Sequence, residues 1–237
     1  KITKNDADIY SGFDTIVCLS ERLRMRFLQL YPELRSKTTA IPNLVRYKEI
    51  QKGANENCPV PVNPDVCNLI TVGRMEMEKR YDQVLKTAAV LKERGFLFHW
   101  YFVGGGNLYD RISNLRDNLD LCGEITLTGN LENPYPLMNR CDFLVLLSDY
   151  EGTPVTIDEA KVLRLTVLAT NVGGIADQLQ EGKYGALVSG NEEEIASAII
   201  KAGKARRRKN SSAGEFEKEN QAVLEKIKEI IGGCHNA

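Results

Sequence analysis

The sequence predicts a doubly wound α/β domain with a parallel sheet, preceded by a partial α/β segment, and three observations carry that prediction. From Cys67 onward, short and almost continuously apolar runs recur, as strands do when helices cover both faces of their sheet. Longer stretches with helical spacing of apolar residues lie between them. Glycine or serine closes several runs (Gly73, Gly104, Gly129 and Ser148), which gathers loops along the carboxyl edge, where open α/β sheets bind ligands.

Taken in order, residues 14–19 predict a buried strand, and Ser20 suits the cap of a helix over 21–30. A turn at Tyr31-Pro32 leads to a strand over 37–41, which Pro42 stops. Residues 46–66 are polar, with Pro59, Pro61 and Pro64 clustered, and read as a linker. Strands follow at 68–73, 97–103, 124–128, 142–147, 166–170 and 185–188. Helices alternate with them at about 81–94, 107–118, 134–139, 154–164, 174–180 and 191–203. Residues 201–220 are highly polar, and 221–231 predict a last amphipathic helix. The expected division is therefore 1–45, a 46–66 linker, a main domain over 67–203 and a 204–237 tail.

Composition removes several functions. Lys plus Arg number 31 against 32 Asp plus Glu, so no overall charge favours nucleic acid. No apolar run reaches the roughly 18 residues of a membrane span. The chain opens on Lys1 with no signal peptide and reads as a piece of something longer. Six cysteines include no C-x-x-C; Cys18 and Cys141 read as small buried hydrophobes of a reducing cytosol, and a Cys58–Cys67 disulfide is the alternative use of that pair. His99 lies within an aromatic strand and His235 in a tail, so nucleophilic schemes that need a histidine base lack support. The basic run 201–209 reads as a solvated helix end, with peripheral contact to anionic lipid as the sharper alternative.

The chemistry concentrates around Asp149-Tyr-Glu-Gly-Thr-Pro-Val-Thr-Ile-Asp-Glu159, where Glu151 and Glu159 have seven residues between them. Thr153 suits a helix N-cap and Pro154 the first helical position, leaving the amides of Val155 and Thr156 to face an anion. Glu159 would then stand about 10 Å along the helix at about 1.5 Å per residue. Such a layout suits an elongated ligand with a phosphate between two hydroxyl-bearing ends. Arg74 and Lys79 share the loop after Gly73, so a guanidinium fork and an ammonium could both neutralise a diphosphate. Gly104-Gly-Gly106 invites a dinucleotide reading, but Tyr109 stands where the third glycine of that fingerprint belongs.

In order, Val72-Gly73-Arg74, Glu78-Lys79, Val103-Gly104-Gly-Gly106, Thr128-Gly129, Asn133-Pro-Tyr-Pro136, Cys141 to Ser148, Tyr150-Glu-Gly-Thr-Pro154, Glu159-Ala160 and Ala169 to Gly174 resemble the C-terminal domain of family 4 (group 1) glycosyltransferases. These are retaining enzymes of the GT-B fold, whose C-terminal half is Rossmann-like. The resemblance covers about 67–200, and 1–45 are similar to the tail of the family's N-terminal acceptor domain, with Ile41-Pro42-Asn43 at the crossing. It implies that Arg74 and Lys79 bind the donor diphosphate, Glu151 the transferred sugar and Glu159 the nucleotide ribose. Gly73, Gly104, Gly129, Gly152, Thr153, Pro154, Val155 and Thr156 would complete the donor site, with the backbone near Leu131 reading the base. The implied donor is a UDP- or GDP-hexose, and no metal is implied. The acceptor would be a saccharide or lipid-linked chain reached through the rest of the N-terminal domain, on the cytoplasmic side. A nucleotide-sugar epimerase of the same fold and a donor-binding module without activity stay open as alternatives. The sequence departs from the family pattern at Arg80, where a glycine is common, and at Lys161, Arg164 and Thr166, where a small residue and Gly-x-Pro are usual.

Overall fold

A computed structural model describes residues 7–204 and 213–233. The first part holds α1 (Ala7–Ser11), β1 (Ile16–Cys18), α2 (Glu21–Leu30) and β2 (Thr38–Ala40), with β1 and β2 paired in parallel. Ser20 caps α2 as expected, its hydroxyl accepting from the Leu23 amide at 3.2 Å. Phe27, Leu28, Tyr31 and Leu34 form the small core of this segment.

The stretch expected to be a linker carries a helix, α3 (Tyr47–Ala54). Its Tyr47, Ile50 and Ala54 recur at helical spacing and enter the main core, a short signal that the following prolines obscure. The strands then follow as β3 (Cys67–Val72), β4 (Phe98–Val103), β5 (Ile125–Gly129), β6 (Phe143–Leu146), β7 (Thr166–Thr170) and β8 (Gly185–Val188). The helices between them are α4 (Tyr81–Glu93), α5 (Tyr109–Asn118), α6 (Tyr135–Met138), α7 (Val155–Val162) and α8 (Ile175–Leu179). α9 (Glu192–Lys204) and α10 (Ala213–Gly233) end the described chain, the latter longer than the 221–231 expected.

The six strands form one parallel sheet in the order β5-β4-β3-β6-β7-β8. Neighbouring residues of a strand face opposite sides, and the two cores divide accordingly. Ile70, Tyr101, Leu144 and Val167 pack on one face with Ile157 and Ala160 of α7, Ile175 of α8 and Phe216 of α10. Leu69, Trp100, Phe102, Val145 and Leu168 pack on the other with Leu85 of α4, Ile112 of α5 and Ile195 of α9. The order reverses between β3 and β6, so a crevice opens beyond their carboxyl ends.

No disulfide joins Cys58 and Cys67, which overturns the disulfide alternative; Cys58 instead donates to the Val60 carbonyl at 3.1 Å. Cys141 is buried as expected, whereas Cys18 is only partly covered. His99 is structural: its Nε2 lies 2.8 Å from Thr126 Oγ1, and burial holds its pKa below the ordinary imidazole value. Among the described residues no helix is long and apolar enough to cross a membrane. Most of the basic run 201–209 lies outside the described residues.

Candidate functional site

The exits of β3 and β6 are stitched together by backbone. The Asp149 amide donates to the Glu78 carbonyl at 2.8 Å, which draws the loop after β3 against the loop after β6. Lys79 and Glu151 meet there, Nζ to Oε1 at 2.6 Å, with their side chains 22% and 10% exposed. Ser148, at the end of the β6 run, donates its hydroxyl to the same carboxylate oxygen at 2.7 Å. Its own carbonyl accepts from Thr170 Oγ1 at 2.7 Å. A cation and an anion 72 positions apart thus close over the sheet's switch point, an arrangement that no local spacing reveals.

Glycines make room for this contact. A Cβ on Gly173 would stand 2.0 Å from the Glu151 carbonyl oxygen, and its φ of +56 is left-handed. A Cβ on Gly104 would stand 2.1 Å from the Gly73 carbonyl oxygen, so Gly104 serves the close approach of two strand exits. Gly73 leaves space beneath Lys79, whose Cε would lie 3.7 Å from an added Cβ. Gly129 faces open space.

The helix beyond Glu151 starts one position later than expected. Pro154 is the N-cap of α7, not its first residue, with an extended ψ of 122°. Thr153 therefore does not cap the helix. Its hydroxyl and carbonyl oxygens both accept from Asn43 Nδ2 at 3.1 Å, a contact across 110 positions. The Val155 and Thr156 amides still lack intrahelical acceptors, as the first amides of any α-helix do. Gly152 is exposed beside them, and its carbonyl accepts from the Gly174 amide at 2.7 Å.

The four charged residues expected around one crevice do not all touch. Arg74 is 75% exposed and pairs with Glu76 on its own loop at 2.7 Å. Glu159, on α7, accepts from the Tyr135 hydroxyl at 3.0 Å. Burial raises the pKa of the Glu159 carboxyl above the ordinary value, opposed by that hydrogen bond and reinforced by Asp158. The Tyr135 hydroxyl is pushed up to about 12, by burial first and then by Glu159. Leu131 packs its side chain on the core beside these residues. Sequence reasoning assigned no role to Ser148 or Tyr135, although each belongs to a stretch that it singled out.

Both backbone departures lie where glycine would be at ease. Arg80 has φ 50 and precedes α4, and Arg164 has φ 60 just beyond α7. The Arg80 guanidinium reaches Asp149 at 3.2 Å, adding a second charge contact between the two loops. Lys161, the third departure, is buried against Asp158 at 3.0 Å.

Comparison with known proteins agrees with this architecture. An uncharacterized glycosyltransferase of Methanocaldococcus jannaschii is 24% identical over 199 residues, covering 75% of this chain and 48% of that protein. The putative glycosyltransferase EpsF of Bacillus subtilis is 33% identical over 100 residues, covering 42% of this chain and 26% of that protein. The chain thus spans half or less of the length of these relatives. Among solved structures, a glycosyltransferase from Rickettsia africae superposes with a TM-score of 0.73 at 21% identity, over 94% of this chain and 63% of that one. Anabaena HepE in complex with UDP superposes with a TM-score of 0.73 at 16% identity, over 96% of this chain and 68% of that one. These likenesses establish the GT-B fold. The family model for glycosyl transferases group 1 matches residues 61–220, and the chain belongs to that family.

Proposed function

We propose that this chain is the donor-binding part of a retaining glycosyltransferase of family 4. The intact protein would move a hexosyl unit from a UDP- or GDP-sugar to a saccharide or lipid-linked acceptor of a surface polysaccharide or glycolipid. The observation that carries the reading is the Lys79–Glu151 contact at the switch point of the sheet. When a donor enters, its diphosphate competes for the Lys79 ammonium, and the released Glu151 carboxylate accepts from hydroxyls of the sugar. Arg74 adds a second cation, since its surface pair with Glu76 is of a kind worth about 0–1 kcal/mol and exchanges readily. The Val155 and Thr156 amides meet the remaining phosphate and sugar oxygens, and Glu159 the ribose. Charge on the departing diphosphate is thereby stabilised while the acceptor attacks from the same face, and neither step calls for a metal. UDP is the favoured nucleotide, because Anabaena HepE and the pneumococcal transferase GtfA, which share the fold, are complexes with UDP.

On this reading residues 1–45 belong to the acceptor domain, 46–66 join the two halves, and 67–203 hold the donor at the cytoplasmic face of a membrane. The chain alone binds donor and transfers poorly. A thermal-shift screen of UDP- and GDP-sugars tests this: ligand at about 100 times its dissociation constant adds about 2.7 kcal/mol of stability. A melting temperature unmoved by every nucleotide sugar would overturn the assignment.

A further inference from the structure

A cleft of about 1020 Å³ separates α2 from the loops that follow β6 and β7. One wall carries Glu151 and Tyr150, the latter 68% exposed. Arg22 and Arg26 stand on the other wall, four positions apart and so on one face of α2. Arg24, between them, turns elsewhere: its Nε donates to the Thr38 carbonyl at 2.9 Å, and its Nη1 meets Glu21 at 2.7 Å.

Charge decides what this cleft accepts. Before a donor enters, both acids of the opposite wall are neutralised by their own cations, Glu151 by Lys79 and Asp149 by Arg80. Arg22 and Arg26 are exposed, and neither guanidinium has an ion pair among the described residues, although the Arg22 backbone amide donates to Asp177 Oδ2 at 3.1 Å. The cleft is therefore left with two guanidinium groups outside any ion pair, lining it together with the acid assigned to the transferred sugar. Two adjacent forks match a phosphate, which offers several acceptor oxygens and up to two negative charges. The exposed Tyr150 ring offers an apolar face for a sugar.

We infer that the acceptor is a phosphorylated saccharide, its phosphate held by Arg22 and Arg26 and its sugar set against Tyr150 and Glu151. This rests on the donor assignment above, because it makes the cleft the acceptor side of the same site. The guanidinium groups are then specificity-determining residues, because a neutral sugar leaves them unpaired.

The test uses this chain with glucose 6-phosphate as probe and glucose as the neutral control, by calorimetry, before and after saturation with UDP. Glucose 6-phosphate should bind where glucose does not, and should still bind with UDP present. Arg22→Gln/Arg26→Gln should weaken it by about tenfold or more, as expected for lost charge-assisted hydrogen bonds, and leave UDP affinity and the melting temperature unchanged. Equal binding to the variant, no binding to the wild type, or displacement of the probe by UDP would each overturn the inference. The last outcome would mean that the phosphate had entered the donor pocket. Arginine-dependent probe binding by a chain that ignores UDP would refute the donor assignment and retain the anion site.

Discussion

Replacing Lys79 by Met asks how strongly the central contact is built. Glu151 is only 10% exposed and keeps two partners on one carboxylate oxygen, Lys79 at 2.6 Å and Ser148 at 2.7 Å. The Met variant leaves that carboxylate with the hydroxyl alone. Breaking a buried ion pair from one side costs about 3–5 kcal/mol, and the 22% exposure of Lys79 admits some water, so a loss of about 2–3 kcal/mol is expected. At roughly 2–4 °C per kcal/mol for a chain of this size, the melting temperature should fall by about 4–12 °C. Glu151→Gln removes the stranded charge, so Lys79→Met/Glu151→Gln should cost less than the sum of the single changes, with a coupling of about 2 kcal/mol. Urea unfolding of the four proteins, followed by circular dichroism, measures this cycle. Additivity within about 0.5 kcal/mol would refute the claim that the two side chains act as a pair.

Gly173→Ala should push the Glu151 carbonyl aside and place an alanine in left-handed backbone; a loss of about 2 kcal/mol or more, together with weaker UDP binding, is expected from melting and calorimetry. Arg164→Gly should do the opposite: relief of about 1–2 kcal/mol of left-handed strain outweighs about 0.4–1 kcal/mol of added chain entropy, and a fall in melting temperature would contradict it. Glu159 titrates above its ordinary 4.5, so the fold prefers its neutral form, and stability declines as pH rises from 4.5 through the folded-state value. Glu159→Gln keeps an acceptor for Tyr135 without the charge. Its stability relative to wild type should therefore grow across that window and level off above it, and a pH-independent difference would sink the argument.

The strands were legible because each is a short run dominated by apolar and β-branched or aromatic residues, and all six of the main sheet lie within one residue of their expected ends. α3 was not, because its apolar positions are few and sit in a polar stretch rich in proline. The start of α7 was misplaced by one residue because Pro154 takes an extended ψ, while a distant Asn43 claims the Thr153 oxygens. The candidate residues were visible as types at strand exits, but their partners were not. That Lys79 meets Glu151, and Glu159 meets Tyr135, follows from which strands are neighbours and from where α6 packs. Arg80 and Arg164, where the family pattern has glycine, both take left-handed backbone, which their residue types alone did not reveal.

The most direct measurement is a calorimetric titration of UDP and of uridine into wild type and Lys79→Met. If the Lys79 ammonium receives the diphosphate, UDP should bind the variant about tenfold to a hundredfold more weakly, from the roughly 1.5–3 kcal/mol of a charged hydrogen bond, while uridine binds both proteins alike. Equal UDP affinity in the two proteins would contradict it.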